Sequence, residues 1–211
     1  MTETSPGRRQ PPKFELIGGN VCLDFVNTLD DRPSGRPKEL LKNYYDLARF
    51  GEDTGILVPA QLDYFYERVH LAQNEAGGAM RRARNLREAL HDIFSAVMNK
   101  QAAPQRALDL LNSNLHESAL HSRLVQSGDR LEWRFDDLTS SYEGVLWPIA
   151  RAAADLLASR DVAWVRACSS PTCQWLFLDT SKNHHRRWCS MQQCGNRAKV
   201  RRFYARRKSA G

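Results

Sequence analysis

Apolar residues recur along much of this chain at the spacing of a helix face. Leu62, Phe65, Tyr66, Val69 and Ala72 follow the i, i+3, i+4, i+7 pattern, and Leu86, Leu90, Ile93, Phe94 and Val97 repeat it. Pro37 and Pro59 stand where helices should begin, because proline at the first helical position gives up an N–H that has no partner there anyway. Gly77-Gly78 is expected to separate the third and fourth helices, and Ala103-Pro104 to open a fifth that ends near Glu117. One stretch changes period. Residues 123–126 and 130–135 alternate around Ser127-Gly128-Asp129, which predicts a β-hairpin. Residues 138–160 return to helix, with Pro148 inside as a kink. The expected fold is mainly α: a helical N-terminal domain with a small hairpin, followed by a small metal-binding module.

Composition divides the chain at Arg160-Asp161. Residues 1–13 read as a flexible arm, rich in Pro, Gly and Arg and without the apolar stretch of a signal peptide. Residues 14–160 form the α-rich domain, and 161–208 the module. The most apolar run, 144–158, is interrupted by Arg151 and Asp155 and is too short to cross a bilayer. No membrane association is expected, and the protein reads as cytoplasmic. The net charge of +7 is unevenly placed: residues 179–211 carry +9 and the rest of the chain −2. A near-neutral body with a basic end suggests a polyanion-binding module joined to something else.

That end also holds four of the five cysteines. Cys168 and Cys173 form one C-x4-C pair, Cys189 and Cys194 another, with fifteen residues between them. Two close thiol pairs are a common way to deliver the tetrahedral four-thiolate shell of zinc, and clustered cysteines in a reducing compartment are more often ligands than disulfides. The alternatives are disulfides, a thiol redox switch, or His184 or His185 as a substitute ligand. Four thiolates close the shell, so one structural Zn2+ per chain is expected, without chemistry of its own. Trp164 to Ala167 and Trp175 to Leu178 are strand-like and can pair around the first knuckle, whose backbone N–H groups can donate to the sulfurs. The order of knuckle, strands and ligand-bearing helix start suggests a treble-clef or ribbon-like arrangement.

After Cys194 the chain reads as one uninterrupted basic helix. On a helical wheel Val200, Phe203 and Tyr204 share one third of the circle and can pack on the zinc module. Arg197, Arg201 and Lys208 border one side of the opposite surface, and Lys199, Arg202 and Arg206 the other, with Ala198 and Ala205 between. Arg207 falls among the apolar positions and must reach outward. Two basic rows flanking small residues suit approach to a nucleic-acid groove, with arginines on both phosphate walls. Arg186 and Arg187, with Lys182, can add a basic loop beside it. Some of this charge would instead neutralise the −2 of a zinc ion with four thiolates.

Arg187-Trp188-Cys189-Ser190-Met191 and Cys194-Gly195-Asn196-Arg197 closely resemble the CGNR zinc finger. Gly18-Gly19-Asn20 with Leu23-Asp24-Phe25-Val26-Asn27-Thr28 looks like the start of the ABATE domain that usually precedes that finger. Together the resemblances span about residues 14–205. They imply a bacterial, stress-responsive transcription regulator whose finger contacts DNA. Within the motif, Gly195 is expected to allow a close turn with its N–H toward sulfur, Asn196 to cap the helix, and Arg197 to begin the basic face.

The N-terminal domain is expected to sense a ligand or to dimerise. Asn20, Asp24, Asn27 and Thr28 are a candidate small-effector site, the last three sharing one helical stripe; buried capping and helix-to-helix hydrogen bonding is the competing account. Cys22 reads as a buried apolar residue. No phosphate loop, dinucleotide fingerprint, H-E-x-x-H or nucleophile elbow occurs, so no enzyme is expected. A homodimer is a candidate assembly, and the alternative to a DNA-binding regulator is a regulatory module that acts through protein contacts with purely structural zinc.

Overall fold

The computed structural model describes residues 13–208, with the side chains of Arg206 and Lys208 outside that description; the expected arm falls outside it except for Lys13. Seven α-helices and three two-stranded antiparallel sheets make up its regular elements. The chain opens with α1 (Val21–Val26), β1 (Leu29–Asp30), β2 (Lys38–Glu39), α2 (Tyr44–Asp53) and α3 (Pro59–Arg68). It continues with α4 (Gln73–Met98), α5 (Gln105–Leu120), the hairpin β3 (Ser122–Ser127) and β4 (Arg130–Phe135), and α6 (Leu146–Ala158). The module adds β5 (Val165–Ala167), β6 (Leu176–Leu178) and α7 (Asn196–Lys208).

Helix α4 is the spine. Ala79, Ala83, Leu86, Leu90, Ile93 and Phe94 form its buried stripe, against α1, α2, α5 and α6. Helix α1 is short, yet five of its six residues are buried. A helix covered on nearly every side can take up a central position only if neighbours close around it, and here α4, α6 and β6 do so.

Several boundaries differ from the sequence reading. Pro59 does open α3, but no helix starts at Pro37; α2 begins at Tyr44, where the Asn43 side chain accepts from the Asp46 N–H at 3.2 Å. Gly77-Gly78 lies inside α4, because burial of the flanking Ala76, Ala79 and Met80 outweighs the glycine penalty of about 1 kcal/mol each. Pro148 sits in the first turn of α6 and makes no kink, since its missing N–H falls among those without helical partners. The hairpin is as expected, with Leu124 opposite Trp133.

The hydrophobic core does not stop at residue 160. Val165 and Leu176 of the module belong to the same buried cluster as α1, α4 and α6. A second, smaller cluster consists of the four module cysteines and Phe177, with Ile17, Trp175 and Trp188 around it. Among the described residues, no helix is long and apolar enough to cross a membrane.

Candidate metal centre and basic helix

The first thiol pair is carried by the hairpin of β5 and β6, where Val165 pairs with Leu178 and Ala167 with Leu176. The Cys168 N–H donates to the Trp175 carbonyl at 2.8 Å, which closes the knuckle, and Gln174 turns it with a left-handed φ of 57°. The second pair follows at the start of the C-terminal helical segment. Ser190 caps that segment, and one π turn (Met191–Gly195) precedes α7, so Cys194 is offered from a helical turn.

All four thiols are buried, and their sulfurs lie within 4.8 Å of one another. Cys173 Sγ is 3.6 Å from Cys189 Sγ, which is 3.7 Å from Cys194 Sγ. A tetrahedral shell with Zn–S near 2.3 Å has edges of roughly 3.8 Å, so the spacing fits a zinc ion. Backbone N–H groups of Ser170 and Cys189 point at the Cys168 sulfur, and that of Trp175 at Cys173, as anionic sulfur requires. Without a cation, the neighbouring thiols and burial push Cys173 and Cys189 up, because adjacent thiolates repel. A divalent ion removes that conflict. The four cysteines hold one structural zinc ion, and a mini-core of four cysteines and one phenylalanine depends on it.

The surrounding motif works differently from the expectation. The Gly195 N–H donates to the Ser190 carbonyl at 3.0 Å, the bond of the π turn, and not to sulfur. Asn196 does not cap: its amide donates back to the Gln192 carbonyl at 3.0 Å. Arg197 Nη2 lies 4.0 Å from Cys194 Sγ, where its charge offsets the thiolates while the side chain stays largely exposed. Arg186 is spent inside the module. Its guanidinium donates to the Trp188 and Cys189 carbonyls and lies 4.5 Å from the Phe177 ring, so it braces the second knuckle and is not free for phosphate. Its N–H donates to Asp179 at 2.9 Å.

Helix α7 leaves the zinc site by its first turn. Ala198 is buried, but Val200, Phe203 and Tyr204 are 54%, 57% and 64% exposed. The expectation that these three pack on the module therefore fails; the helix projects past the small zinc core instead of lying on it. Lys199, Arg201, Arg202 and Arg207 are exposed along it, as is Arg187 in the loop before Cys189. Arg207 reaches over the Phe203 ring at 5.8 Å. The side chain of Arg206 lies outside the described residues.

The N-terminal stripe proves to be the dock for this module. Asn27 grips β6 from both sides: its amide nitrogen donates to the Leu176 carbonyl at 2.9 Å and its oxygen accepts the Leu176 N–H at 2.8 Å. The Gly18 carbonyl accepts the Leu178 N–H at 2.8 Å, and Trp175 Nε1 donates to Asp30 at 2.8 Å. Gly19 makes the turn with φ 74°, and a side chain at Gly18 would collide with Asp24 Oδ1 at 2.9 Å. Asn20 caps α1 by accepting from the Cys22 N–H. Asp24 accepts from the Gly18 N–H at 2.7 Å, and burial pushes its carboxyl up to about 6 despite that bond. Thr28 donates to the Phe25 carbonyl at 2.6 Å and accepts from Arg87. All four candidate effector residues thus take part in capping, turning or docking. Cys22 is fully buried, and its thiol is pushed far up by desolvation, which suits an inert core residue.

A helical body gripping a four-cysteine module that ends in an exposed basic helix defines a zinc-finger protein. Residues 19–160 match the ABATE family, described as a putative stress-induced transcription regulator, and residues 165–207 match the CGNR zinc finger. The chain belongs to the ABATE family and carries the CGNR finger at its C-terminal end. No curated protein matches it.

Proposed function

We propose that this protein is a DNA-binding transcription regulator, stress- or ligand-responsive, in which zinc fixes the root of α7 so that its basic surface can enter a DNA groove. The observation that carries the reading is the exposure of α7 beyond Ala198: Lys199, Arg201, Arg202 and Arg207 stand in solvent on a helix anchored only at its zinc end. Few of these cations are spent on the protein itself. Arg197 screens the thiolates, and no ion pair involving α7 occurs among the described residues. The role is one of binding, with no catalytic step. The test is fluorescence anisotropy of zinc-loaded protein with duplex DNA at low salt. Arg201→Glu with Arg202→Glu should weaken binding at least about tenfold, as expected for loss and reversal of two phosphate contacts. Unchanged affinity would sink the reading.

One observation favours a second reading. Val200, Phe203 and Tyr204 form an exposed i, i+3, i+4 stripe, the pattern with which a helix docks in a protein groove. In that case Phe203→Ser with Tyr204→Ser, and not the charge reversals, abolishes regulation in cells.

A further inference from the structure

A cleft of about 450 Å³ opens between the start of α2, the connection from α3 to α4, and the first half of α4, away from the zinc module. None of its lining residues is acidic, whereas Lys42, Arg81 and Arg84 all contribute to it. Tyr44, Tyr45 and Met80 give it apolar walls. The volume is in the range of sites that enclose small metabolites.

Tyr44 is 3% exposed and packs edge-on against Phe65 and Tyr142, so it borders the cleft as an apolar wall. Arg81 makes no ion pair among the described residues; its guanidinium lies over Gly77, where an added methyl would be 3.8 Å from Nη1. Arg84 is held in place by donating to the Leu41 and Lys42 carbonyls at 2.7 and 2.9 Å, with Glu39 at 3.7 Å. Arg81 and Lys42, whose side chain likewise makes no ion pair among the described residues, are therefore the uncommitted cations of the cleft, and Gly77 in the second turn of α4 leaves its wall open beside Arg81.

We propose that this cleft binds a small organic carboxylate with a ring-sized apolar body, the ring against Tyr44, Tyr45 and Met80 and the carboxylate on Arg81. An arginine can meet a carboxylate with two parallel hydrogen bonds, which a neutral amide of the same shape cannot match. The site is separate from α7, and its occupancy is measured without DNA, so it stands or falls independently of the DNA reading.

The experiment titrates the full zinc-loaded chain with benzoate, naphthalene-2-carboxylate and indole-3-acetate, each beside its primary amide, by ligand-observed NMR and thermal shift. At least one carboxylate should bind with Kd below about 1 mM and at least about tenfold tighter than its amide. Arg81→Gln should erase that preference. Gly77→Leu fills the cleft with a better helix former, so it should raise the Tm of the free protein and abolish binding. The proposal is overturned if no carboxylate in the set binds below about 5 mM, if acid and amide bind alike, or if Gly77→Leu binds normally. Inorganic phosphate that binds as tightly as the carboxylates, and competes with them, overturns the carboxylate assignment in favour of a simple anion site.

Discussion

Asn27→Ala tests whether the N-terminal domain holds the zinc module or merely precedes it. The substitution removes both hydrogen bonds to Leu176 and leaves that residue's N–H and carbonyl buried without partners, since Leu176 is only 2% exposed. An unsatisfied buried backbone group costs about 1–3 kcal/mol, so the pair should cost about 2–6 kcal/mol, a large part of the roughly 5–15 kcal/mol that stabilises a typical domain. Urea unfolding of zinc-loaded protein measures that loss. Transfer of zinc to a chromophoric chelator measures its location: release should accelerate more than about tenfold, since undocking exposes the knuckle at a cost lowered by more than 1.4 kcal/mol. Asn20→Ala is the control in the same motif. It removes a helix cap worth about 1 kcal/mol and should leave zinc release nearly unchanged. If Asn27→Ala stays within about 0.5 kcal/mol of the parent, or destabilises it without faster release, the docking account is wrong.

Other perturbations separate the remaining parts. Asp24, pushed up by burial to about 6 against roughly 3.9 unfolded, takes up its proton more readily in the folded state. Its contribution is therefore greatest below about pH 4 and is lost as pH rises through 6, about 3 kcal/mol in all. Relative to Asp24→Asn, the parent should lose about 1 kcal/mol between pH 5 and 7.5; parallel stability profiles would contradict the burial argument. Arg87 is 3% exposed and bridges Glu39, Glu88 and Thr28. Arg87→Ala should cost about 2–4 kcal/mol by leaving half-buried Glu39 with only the more distant Arg84, at 3.7 Å, as its cation, and a loss below about 0.5 kcal/mol in urea would show the pairing to be idle. Chelation under reducing conditions should strip hydrogen-exchange protection from residues 165–195 while α4 and α5 keep theirs; uniform retention would refute metal-dependent folding of the module.

The long amphipathic stripes, the hairpin and the cysteine pairs were legible in the sequence because each is a local pattern with a fixed period or spacing. Gly77-Gly78 misled because a glycine pair looks like a break, while burial of the alanines on either side decides in favour of helix. Asn27 was singled out for its stripe, but not for its partner 149 residues away. Nothing local to either segment signals that pairing. Arg186 and Arg187 are adjacent and chemically alike, yet one faces the knuckle carbonyls and the other solvent. The apolar positions of α7 were placed on the zinc core by periodicity, which says that a face exists and not what covers it. The left-handed Gln174 and His184 between the knuckles and the π turn within the second one show how two C-x4-C loops bring four sulfurs together.

The central claim is that zinc fixes α7 so that its cations can meet DNA phosphates, and the salt dependence of DNA binding tests it most directly. Affinity of the zinc-loaded chain for one duplex is measured across a range of salt concentrations, and again after chelation. If α7 and its neighbouring loop neutralise ~5 phosphates, log K should fall against log salt with a slope of about −4 to −5, and chelated protein should lose most of its affinity and slope. A slope near zero, or the same affinity with zinc removed, would contradict the account.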